Sequence, residues 1–351
     1  MNILITGCGS SIGLEIAKSL KYAKLKNVKL IGTEISWWGL KFGKKYCDEV
    51  ILTAKSNDPL YEKKFLNILK SKKINIVFVN TDGELEAISK FRDKIKIPIS
   101  CPEKKAIEIC LDKQLTYKKM KKCARLPATM EIKNSQDIKK ALDKFGPPIW
   151  LRSATGAGGR GSIIIKKANH AEMWIDYWKE MGWHIENWLA HEYLPGKNYG
   201  WCSIWKDGEL IISCTGERLR YLLENVTISG VTGMIAEGII VANKDVNVEG
   251  TKVIKKLSEK VTGIFTVDFR EDKNGFPLLT EINARHAFRP WCFTKARVNF
   301  AKIFVELMLE KKLPSLSKYD AGKTGVKIAR TVDMEPVFQF PKEKKQSISQ
   351  K

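Results

Sequence analysis

Residues 267–285 read VDFREDKNGFPLLTEINAR, which predicts two short strands joined by a tight turn. Residues 267–270 alternate apolar and charged side chains, as a half-buried strand does. Asn274-Gly275 is a residue pair that favours a tight hairpin turn, and residues 276–282 supply the returning strand. The segment therefore predicts a β-hairpin.

Three oxygen-bearing side chains lie at one end of this hairpin. Asp268 falls near the start of the first strand, and Glu281 and Asn283 fall two residues apart at the end of the second, so those two point to one face. Pairing across the turn brings Asp268 beside them. Two carboxylates and an amide oxygen suit Mg²⁺, which completes its coordination with water and phosphate oxygens. An exposed acidic hairpin without a ligand is the alternative.

The composition limits the class of protein. The 351 residues fit two or three domains, and 44% of them are hydrophobic, an ordinary share for a globular chain. No apolar run reaches the length of a membrane span, and the amino terminus lacks a signal-peptide pattern. The eight cysteines include no C-x-x-C pair. We therefore expect buried, reduced thiols, a cytoplasmic location and no membrane partner.

The net charge of +22 raises the question of nucleic acid. The lysines are spread along the whole chain, on the polar faces of predicted helices, and no nucleic-acid-binding motif accompanies them. We therefore expect no specific nucleic-acid partner and interpret the lysines as solvated helix surface.

Two regions carry glycine-rich turns. Residues 1–100 alternate strands and helices, which predicts a parallel, doubly wound sheet, and its first turn is TGCGSSIG at residues 6–13. Residues 152–162 read RSATGAGGRGS and lie between two predicted strands. Their free N–H groups could fold over a polyphosphate, although the ending of a Walker P-loop is absent. A mobile surface hairpin is the alternative for this second loop.

A nicotinamide-dependent dehydrogenase is a rival interpretation of the first turn. Glu34 ends the second predicted strand, where dinucleotide folds place a ribose-binding acid, and Tyr117 and Lys121 have Tyr-x-x-x-Lys spacing. The glycines at 7, 9 and 13 miss the G-x-G-x-x-G spacing, because Ile12 stands where the third glycine is needed.

Residues 218–233 interrupt a run of predicted antiparallel strands and are interpreted as a loop that contacts the substrate. Arg218 and Arg220 in this loop, and His286 after the hairpin, flank the predicted centre and are candidates for holding an anionic or polar group. A surface position is the alternative for each of them.

The order of these features resembles the ATP-grasp superfamily, in particular the branch of the carbamoyl phosphate synthase large subunit. Asp112-Lys113 opens a helix, Arg152 precedes the glycine loop, HEYLPG closes a strand at residues 191–196, and the acidic hairpin follows. Residues 79–87, VNTDGELEA, also resemble the domain that precedes ATP-grasp in that branch. The resemblance covers roughly residues 1–310 and is specific as a combination.

The resemblance implies an α/β ATP-grasp fold with a Rossmann-like pre-ATP-grasp domain before a central and C-terminal α+β ATP-binding region. The implied division is a pre-ATP-grasp domain at 1–111, a small lid subdomain at 112–188, a C-terminal subdomain with the metal site at 189–315, and a strand and tail at 316–351.

The resemblance also implies a role for individual residues. Asp268, Glu281 and Asn283 would hold Mg²⁺, with Mn²⁺ as an alternative metal, and Arg285, Arg152 and Arg160 would stabilise phosphoryl and oxyanion charge. Asn198 stands where many members place a ribose-binding Glu, and an amide can also bond a hydroxyl. The implied ATP-binding set is Lys113, Arg152, Gly156, Gly158, Gly159, Gly161, Ser162, Asn198 and the adenine hinge His191, Glu192, Tyr193 and Leu194.

The implied activity is that of an ATP-dependent ligase, which forms a carbon–nitrogen bond. It would activate a small-molecule carboxylate as an acyl phosphate for attack by an amine, releasing ADP and phosphate, with homodimerisation left open. Carbamoyl- or carboxy-phosphate chemistry, other phosphoryl transfer, and non-catalytic nucleotide binding are the alternatives.

Overall fold

The structure is a computed structural model that describes residues 1–156, 158–159, 161–182, 187–332 and the backbone of 337–339. Three sheets account for its strands. In the described part of the chain, no helix is both long and apolar enough to cross a membrane.

The first sheet contains four parallel strands in the order β3-β2-β1-β4. Helices follow each strand, as expected for a doubly wound unit, because a parallel crossover needs an intervening helix. The strands are β1 Asn2–Ile5, β2 Lys29–Glu34, β3 Glu49–Leu52 and β4 Ile74–Phe78, and the helices are α1 Ser11–Tyr22, α2 Trp37–Gly43, α3 Tyr61–Ser71 and α4 Asp82–Ser89.

The carboxyl ends of β1 and β4 lead into helices whose first residues face the later site. Ser10 caps α1 by accepting a hydrogen bond from the Gly13 amide, and Thr81 caps α4 by accepting one from the Glu84 amide. Such caps satisfy main-chain donors that a helix start leaves unpaired. They fix where Ser11 and Asp82, the first residue of each helix, lie.

The second sheet is antiparallel, with the order β5-β8-β6-β7. Asp112 precedes it and caps the helix that begins at Lys113, accepting from the amides of Gln114 and Leu115. The elements of this region are α5 Lys104–Leu111, α6 Lys113–Met120, β5 Thr129–Ile132, α7 Ser135–Phe145, β6 Ile149–Ser153, β7 Ile163–Ile165, α8 Ala168–Glu180 and β8 Trp188–Glu192.

The third sheet is antiparallel and has the order β13-β12-β9-β10-β11-β14-β15. Its centre is built from long strands whose tryptophans, Trp201 and Trp205, are completely buried in the core. The elements are β9 Asn198–Lys206, β10 Glu209–Tyr221, β11 Ile235–Val241, α9 Lys244–Leu257, β12 Gly263–Glu271, β13 Pro277–Asn283, α10 Pro290–Lys295, α11 Phe300–Met308, β14 Lys327–Ala329 and β15 Val337–Gln339.

The structure differs from the sequence expectations at two places. β10 continues to Tyr221, so Arg218 and Arg220 lie on a strand and not in a loop, because this charged segment pairs with both β9 and β11. β8 runs across the expected boundary at 188/189 and belongs to the second sheet. β14 lies in the region where a C-terminal strand was expected, and it extends the third sheet by pairing with β11.

Candidate functional site

A cavity of about 460 Å³ lies where the three sheets approach one another. Most of the residues that line it are polar or charged. Residues from each sheet region contribute to it: Ser10, Ser11, Thr81 and Asp82 from the first; Lys113, Tyr117, Arg152, Gly156, Gly158, Gly159, Ser162, His191, Glu192, Tyr193 and Leu194 from the second; and Asn198, Arg218, Tyr221, Asp268, Thr280, Glu281, Asn283, Arg285 and Arg289 from the third.

The three expected metal ligands lie together in this cavity. Asp268 on β12 is the register partner of Glu281 on β13, and the Asn283 amide donates to Asp268 Oδ2 at 3.4 Å. Burial and the neighbouring Glu281 charge push the pKa of Asp268 upward, and the net result is a pKa above its ordinary value despite Arg218. Two carboxylates held this close favour a cation between them.

Two cations from other elements contact these carboxylates. Lys113 Nζ lies 3.2 Å from Glu281 Oε1 and donates to the Gly156 carbonyl at 2.8 Å. Arg218 lies 2.6 Å from Asp268 Oδ1 and also donates to Asn198 Oδ1 at 2.7 Å. The start of α6, the glycine loop and the acidic hairpin therefore meet at one point.

The donor set fits Mg²⁺ better than a softer metal. In the ranges that the structure describes, no group of three or more His, Cys, Asp or Glu side chains could hold a metal ion. The cavity instead offers two carboxylates and one amide, all oxygen donors. Mg²⁺ is commonly bound by one or two carboxylates, with water and phosphate oxygens in the remaining positions.

Arg152 is held by a buried network. Its guanidinium donates to the Tyr117 hydroxyl at 2.5 Å and to the Thr280 carbonyl at 2.6 Å, and its Nε donates to His191 Nε2 at 3.2 Å. Burial, followed by the charges of Arg152 and Lys113, holds the pKa of His191 well below its ordinary value. Neutral His191 can therefore accept from Arg152.

The same network assigns the tautomer of His191. Because Nε2 accepts, the proton resides on Nδ1, which lies 2.8 Å from the Thr129 hydroxyl. That hydroxyl in turn donates to the Pro127 carbonyl at 2.8 Å. These hydrogen bonds hold Nε and Nη2 of Arg152, and so fix the position of its guanidinium.

The expected adenine hinge divides into two parts. His191 pairs through its main chain with β5 and β6, and the Glu192 side chain accepts from the Ala128 amide at 2.7 Å. Tyr193 and Leu194 follow β8 and line the cavity. Among main-chain hydrogen bonds between described residues, none uses the Leu194 amide, so it is free to meet a ligand.

The glycine loop adopts a backbone that only glycine adopts easily. Gly156, Gly158, Gly159 and Gly161 have φ between +72° and +87°. A Cβ on Gly159 would lie 2.7 Å from the Val231 carbonyl, so the loop packs against the segment after β10. Gly161 is fixed through its carbonyl by Trp174 at 3.0 Å, and Ser162 lines the cavity. Arg160 lies outside the described residues.

Arg285 is paired with a carboxylate from the first sheet region. It forms two hydrogen bonds to Asp82, at 2.6 and 2.8 Å. Beyond it, buried Arg289 forms an ion pair with Glu15 of α1. Both arginines therefore connect the segment after β13 to the amino-terminal helices.

Three residues were candidates for contacting the substrate. Arg218 lines the cavity, but Arg220 and His286 do not. Arg220 is exposed and pairs with Glu224 at 3.3 Å and Glu237 at 2.8 Å on the surface. His286 is buried in the core, where Nδ1 lies 3.3 Å from Cys202 Sγ, and burial lowers its pKa to about 3. Neither lines the cavity.

Several residues of the site were not predicted. Asp82, Tyr117, Thr280 and Tyr221 contact the predicted residues through distant parts of the chain. The motif at 79–87 contains Asp82, but it gives no signal for the partner. Glu34, the acid of the dehydrogenase interpretation, accepts from the Gly9 amide at 2.6 Å and is buried. It is thereby engaged in holding the first turn.

Comparisons with solved structures found N5-carboxyaminoimidazole synthetase and biotin carboxylases with a similar fold. N5-carboxyaminoimidazole synthetase from Staphylococcus aureus superposes with a TM-score of 0.68 at 17% identity, covering 93% of this chain and 81% of that one. The biotin carboxylase domain of Hydrogenobacter thermophilus 2-oxoglutarate carboxylase gives 0.73 at 14%, covering 94% and 74%. Biotin carboxylase from Campylobacter jejuni gives 0.72 at 16%, covering 94% and 75%. At these identities the likeness concerns the fold.

A comparison with curated proteins found no significant match. The ATP-grasp domain family matches residues 110–287, just over half of the 351-residue chain. This range contains α6, the glycine loop, the hinge and the acidic hairpin. The chain therefore belongs to the ATP-grasp family.

Proposed function

We propose that this protein is an ATP-dependent ligase that joins a small-molecule carboxylate to an amine. The observation that carries this proposal is the position of Lys113 Nζ, 3.2 Å from Glu281 Oε1 and 2.8 Å from the Gly156 carbonyl. The Lys113 ammonium group, the acidic hairpin and a glycine loop that could enclose a phosphate meet at this position. The related structure from Hydrogenobacter thermophilus was solved with MgADP, ADP and bicarbonate, which supports the same use of this cavity.

ATP would enter between the hinge and the glycine loop. Tyr193 and Leu194 would contact the adenine through their main chain, and Lys113 and Arg152 would meet the phosphates. Gly156, Gly158 and Gly159 carry no Cβ, and their main-chain N–H groups would be offered to the phosphates. Asn198, held by Arg218 and Tyr221, would offer its amide to a ribose hydroxyl.

Asp268, Glu281 and Asn283 would hold Mg²⁺, which supplies charge neutralisation for the phosphates when bound. Lys113 and Arg218 now contact the two carboxylates. These side chains keep the carboxylates from standing unpaired in a buried site, because an isolated buried charge is costly.

The chemistry follows from the leaving group. A carboxylate oxygen attacks the γ-phosphorus of ATP and ADP leaves, which gives an acyl phosphate. The amine nitrogen then attacks the acyl carbon, phosphate leaves, and the nitrogen loses a proton to give an amide. Lys113, Arg152 and Arg285 place positive charge where phosphoryl and oxyanion charge develops. The glycine loop would exclude water that otherwise hydrolyses the acyl phosphate.

The division of the chain into four parts remains our proposal, with one adjustment. The three separate sheets support a pre-ATP-grasp unit, a lid unit and a C-terminal unit. Since β8 is part of the second sheet, we propose that the second boundary follows Glu192.

Thermal unfolding with ATP, in the presence of Mg²⁺, Mn²⁺ or neither, tests nucleotide binding. We expect a metal-dependent rise of the melting temperature, and no rise would overturn the proposal. ADP release is then measured against a panel of carboxylates, each with and without amines. Release that needs a carboxylate but no amine would favour phosphoryl transfer, and binding without release would favour a non-catalytic nucleotide-binding protein.

Glu281→Gln tests the metal assignment. The variant should lose ADP release while its melting temperature without ligand stays close to that of the parent. Glu209→Gln, on an exposed hairpin, is the matched control and should keep full activity. Activity retained in Glu281→Gln would contradict the assigned ligand set.

A further inference from the structure

Helix α2 has an unusual distribution of side-chain sizes. The side that faces the sheet carries two buried glycines, Gly39 and Gly43. A Cβ on Gly39 would lie 2.6 Å from Glu34 Oε2, and a Cβ on Gly43 would lie 2.3 Å from Cys8 Sγ. The helix lies so close to the sheet that no larger residue fits at these positions. Leu40 is half-buried, but the other large apolar side chains of α2 are mostly exposed.

Those large side chains are exposed. Ile35 is 55% exposed, Trp37 70%, Trp38 54% and Phe42 55%. The rings of Trp38 and Phe42 contact each other edge to face, with centroids 6.2 Å apart. We call these four residues the α2 patch. Large apolar groups clustered on a surface mark an interaction site more often than single exposed ones do.

The surroundings of the α2 patch are basic. Lys41, Lys44 and Lys45 are exposed and lie within or directly after α2. Residues 35–47 contain no Asp or Glu, and the whole chain carries a net charge of +22. A partner of matching chemistry must therefore present negative charge together with an apolar layer.

We propose that the α2 patch docks on an anionic lipid surface. Tryptophan prefers the boundary between headgroups and acyl chains, and lysines beside it are attracted by anionic headgroups. A second copy of the chain fits less well, because a symmetric contact between two α2 patches would bring two sets of basic side chains into one interface. This surface contact departs from the expectation of no membrane partner, which rested on the absence of an apolar run of span length.

The α2 patch lies behind one wall of the cavity. A Cβ on Gly9 would lie 2.3 Å from the Gly39 carbonyl, so α2 packs directly on the turn at residues 7–10. Ser10 of this turn and Ser11, which follows it, line the cavity. Docking through α2 would therefore hold the cavity near the lipid surface, whether or not the proposed ligase activity is correct.

Co-sedimentation of the full chain with vesicles tests this docking. Vesicles of phosphatidylcholine alone are compared with vesicles that also contain phosphatidylglycerol, at low and high salt. We expect binding to the anionic vesicles only, weakened by salt. No binding to anionic vesicles at low salt would overturn the proposal, as would equal binding to both kinds of vesicle.

Variants locate the contact. Trp37→Ser with Trp38→Ser should lower the partition coefficient at least about tenfold, because both indoles leave the interface. Lys41→Gln with Lys44→Gln should lower it about 30-fold, since one lysine near an anionic surface contributes about a factor of five. Lys139→Gln with Lys140→Gln, on the exposed side of α7, is the control and should bind nearly as the parent does.

Two outcomes would assign the α2 patch differently and overturn the proposal. If the control pair loses as much binding as the patch pair, the attraction is only a property of net charge. If sedimentation equilibrium shows a dimer that the Trp37→Ser and Trp38→Ser changes dissolve, a second copy covers the α2 patch. Melting temperatures close to that of the parent show that each variant is folded.

Discussion

Arg285 and Asp82 form a two-bonded ion pair, at 2.6 and 2.8 Å, across 203 positions of sequence. Burial alone would raise the pKa of Asp82, but Arg285 and then Lys113 outweigh it and the pKa falls below its usual range. The pair joins the start of α4 to the residue that follows the acidic hairpin. It therefore sets how the amino-terminal sheet region closes one side of the cavity.

Replacing Asp82 by Asn should destabilise the fold and impair turnover. Arg285 would keep its charge in a mostly buried position without a carboxylate, at a cost of about 1–3 kcal/mol given the partial exposure of Asp82. Urea unfolding measures the free energy of unfolding, and ADP release measures activity. Asp93→Asn, at an exposed position, should change neither. An unchanged free energy of unfolding in the Asp82 variant would show that the pair contributes nothing to stability.

Arg218→Met should make the stability of the protein depend on Mg²⁺. Without Arg218, buried Asp268 loses its ion-pair partner, so we expect a loss of about 3–5 kcal/mol in the free energy of unfolding. Mg²⁺ without nucleotide should restore part of the lost free energy of unfolding, because it supplies positive charge beside the Asp268 and Glu281 carboxylates. Melting curves over a Mg²⁺ series measure this.

Arg220→Met is the matched control on the same strand. Its partners are on the surface, so the loss should stay below about 1 kcal/mol and should not respond to Mg²⁺. If Mg²⁺ shifts the two variants by the same amount, Asp268 and Glu281 do not form the metal site.

Tyr117→Phe should weaken nucleotide binding without removing bulk. The phenol hydroxyl accepts from Arg152 and donates to the Thr280 carbonyl at 3.2 Å. Loss of the hydroxyl should lower the free energy of unfolding by about 1–3 kcal/mol. Because Arg152 is then no longer held, MgATP binding should also weaken about tenfold. Calorimetric titration with MgATP gives the dissociation constant. Tyr177→Phe, at an exposed site on α8, should bind MgATP like the parent, and equal affinities in both variants would contradict the network.

His286 should make the protein sensitive to acid. Its pKa is about 3 in the fold, below the ordinary value of 6.5, so below pH 6.5 the unfolded chain takes up a proton that the folded chain does not. Stability is therefore lost as the pH falls from about 6.5 towards 3. At pH 5, His286 lowers the free energy of unfolding by about 2 kcal/mol relative to neutral pH.

His286→Met should remove that part of the pH dependence. Urea unfolding at pH 7 and pH 5 should show a smaller difference for the variant than for the parent, by about 2 kcal/mol. His170→Gln, which changes an exposed histidine on α8, should keep the difference of the parent. If the free energy of unfolding falls equally in the His286 variant and the parent between pH 7 and pH 5, His286 is not held neutral in the fold.

The local parts of the site could be predicted because they depend on short sequence separations. The turn at Asn274-Gly275 and the period-two alternation predicted a hairpin that brings Asp268 close to Glu281. In the structure the register shifts by one residue between Asp268 and Phe269, and this irregularity makes Glu281 the partner of Asp268. The Asp-Lys start of α6 is equally local, since Asp112 caps the helix it precedes. The alternation of strand and helix predicted the parallel sheet for the same reason.

The predictions that Arg220 and His286 contact the substrate were wrong. Their side-chain directions depend on strand pairing and chain path and not only on the alternation of side chains along a strand. Arg218 and Arg220 are two residues apart and should point the same way on a regular strand. The pairing of β10 with β11 is irregular between them, and Arg220 turns to the surface. His286 directly follows Arg285, yet it lies in the core against Cys202, because the chain leaves β13 before it.

The sequence by itself determined the acidic hairpin, the capped helix at Lys113 and the glycine loop, since each is specified by turn, cap and periodicity over a few residues. Only the tertiary structure decided which charges meet. The pairs Lys113–Glu281, Arg218–Asp268 and Arg285–Asp82 span different sheets or distant strands, and no local pattern encodes them. A buried charge takes whichever opposite charge the packed elements bring within reach, because leaving it unpaired costs more than any local preference can offset.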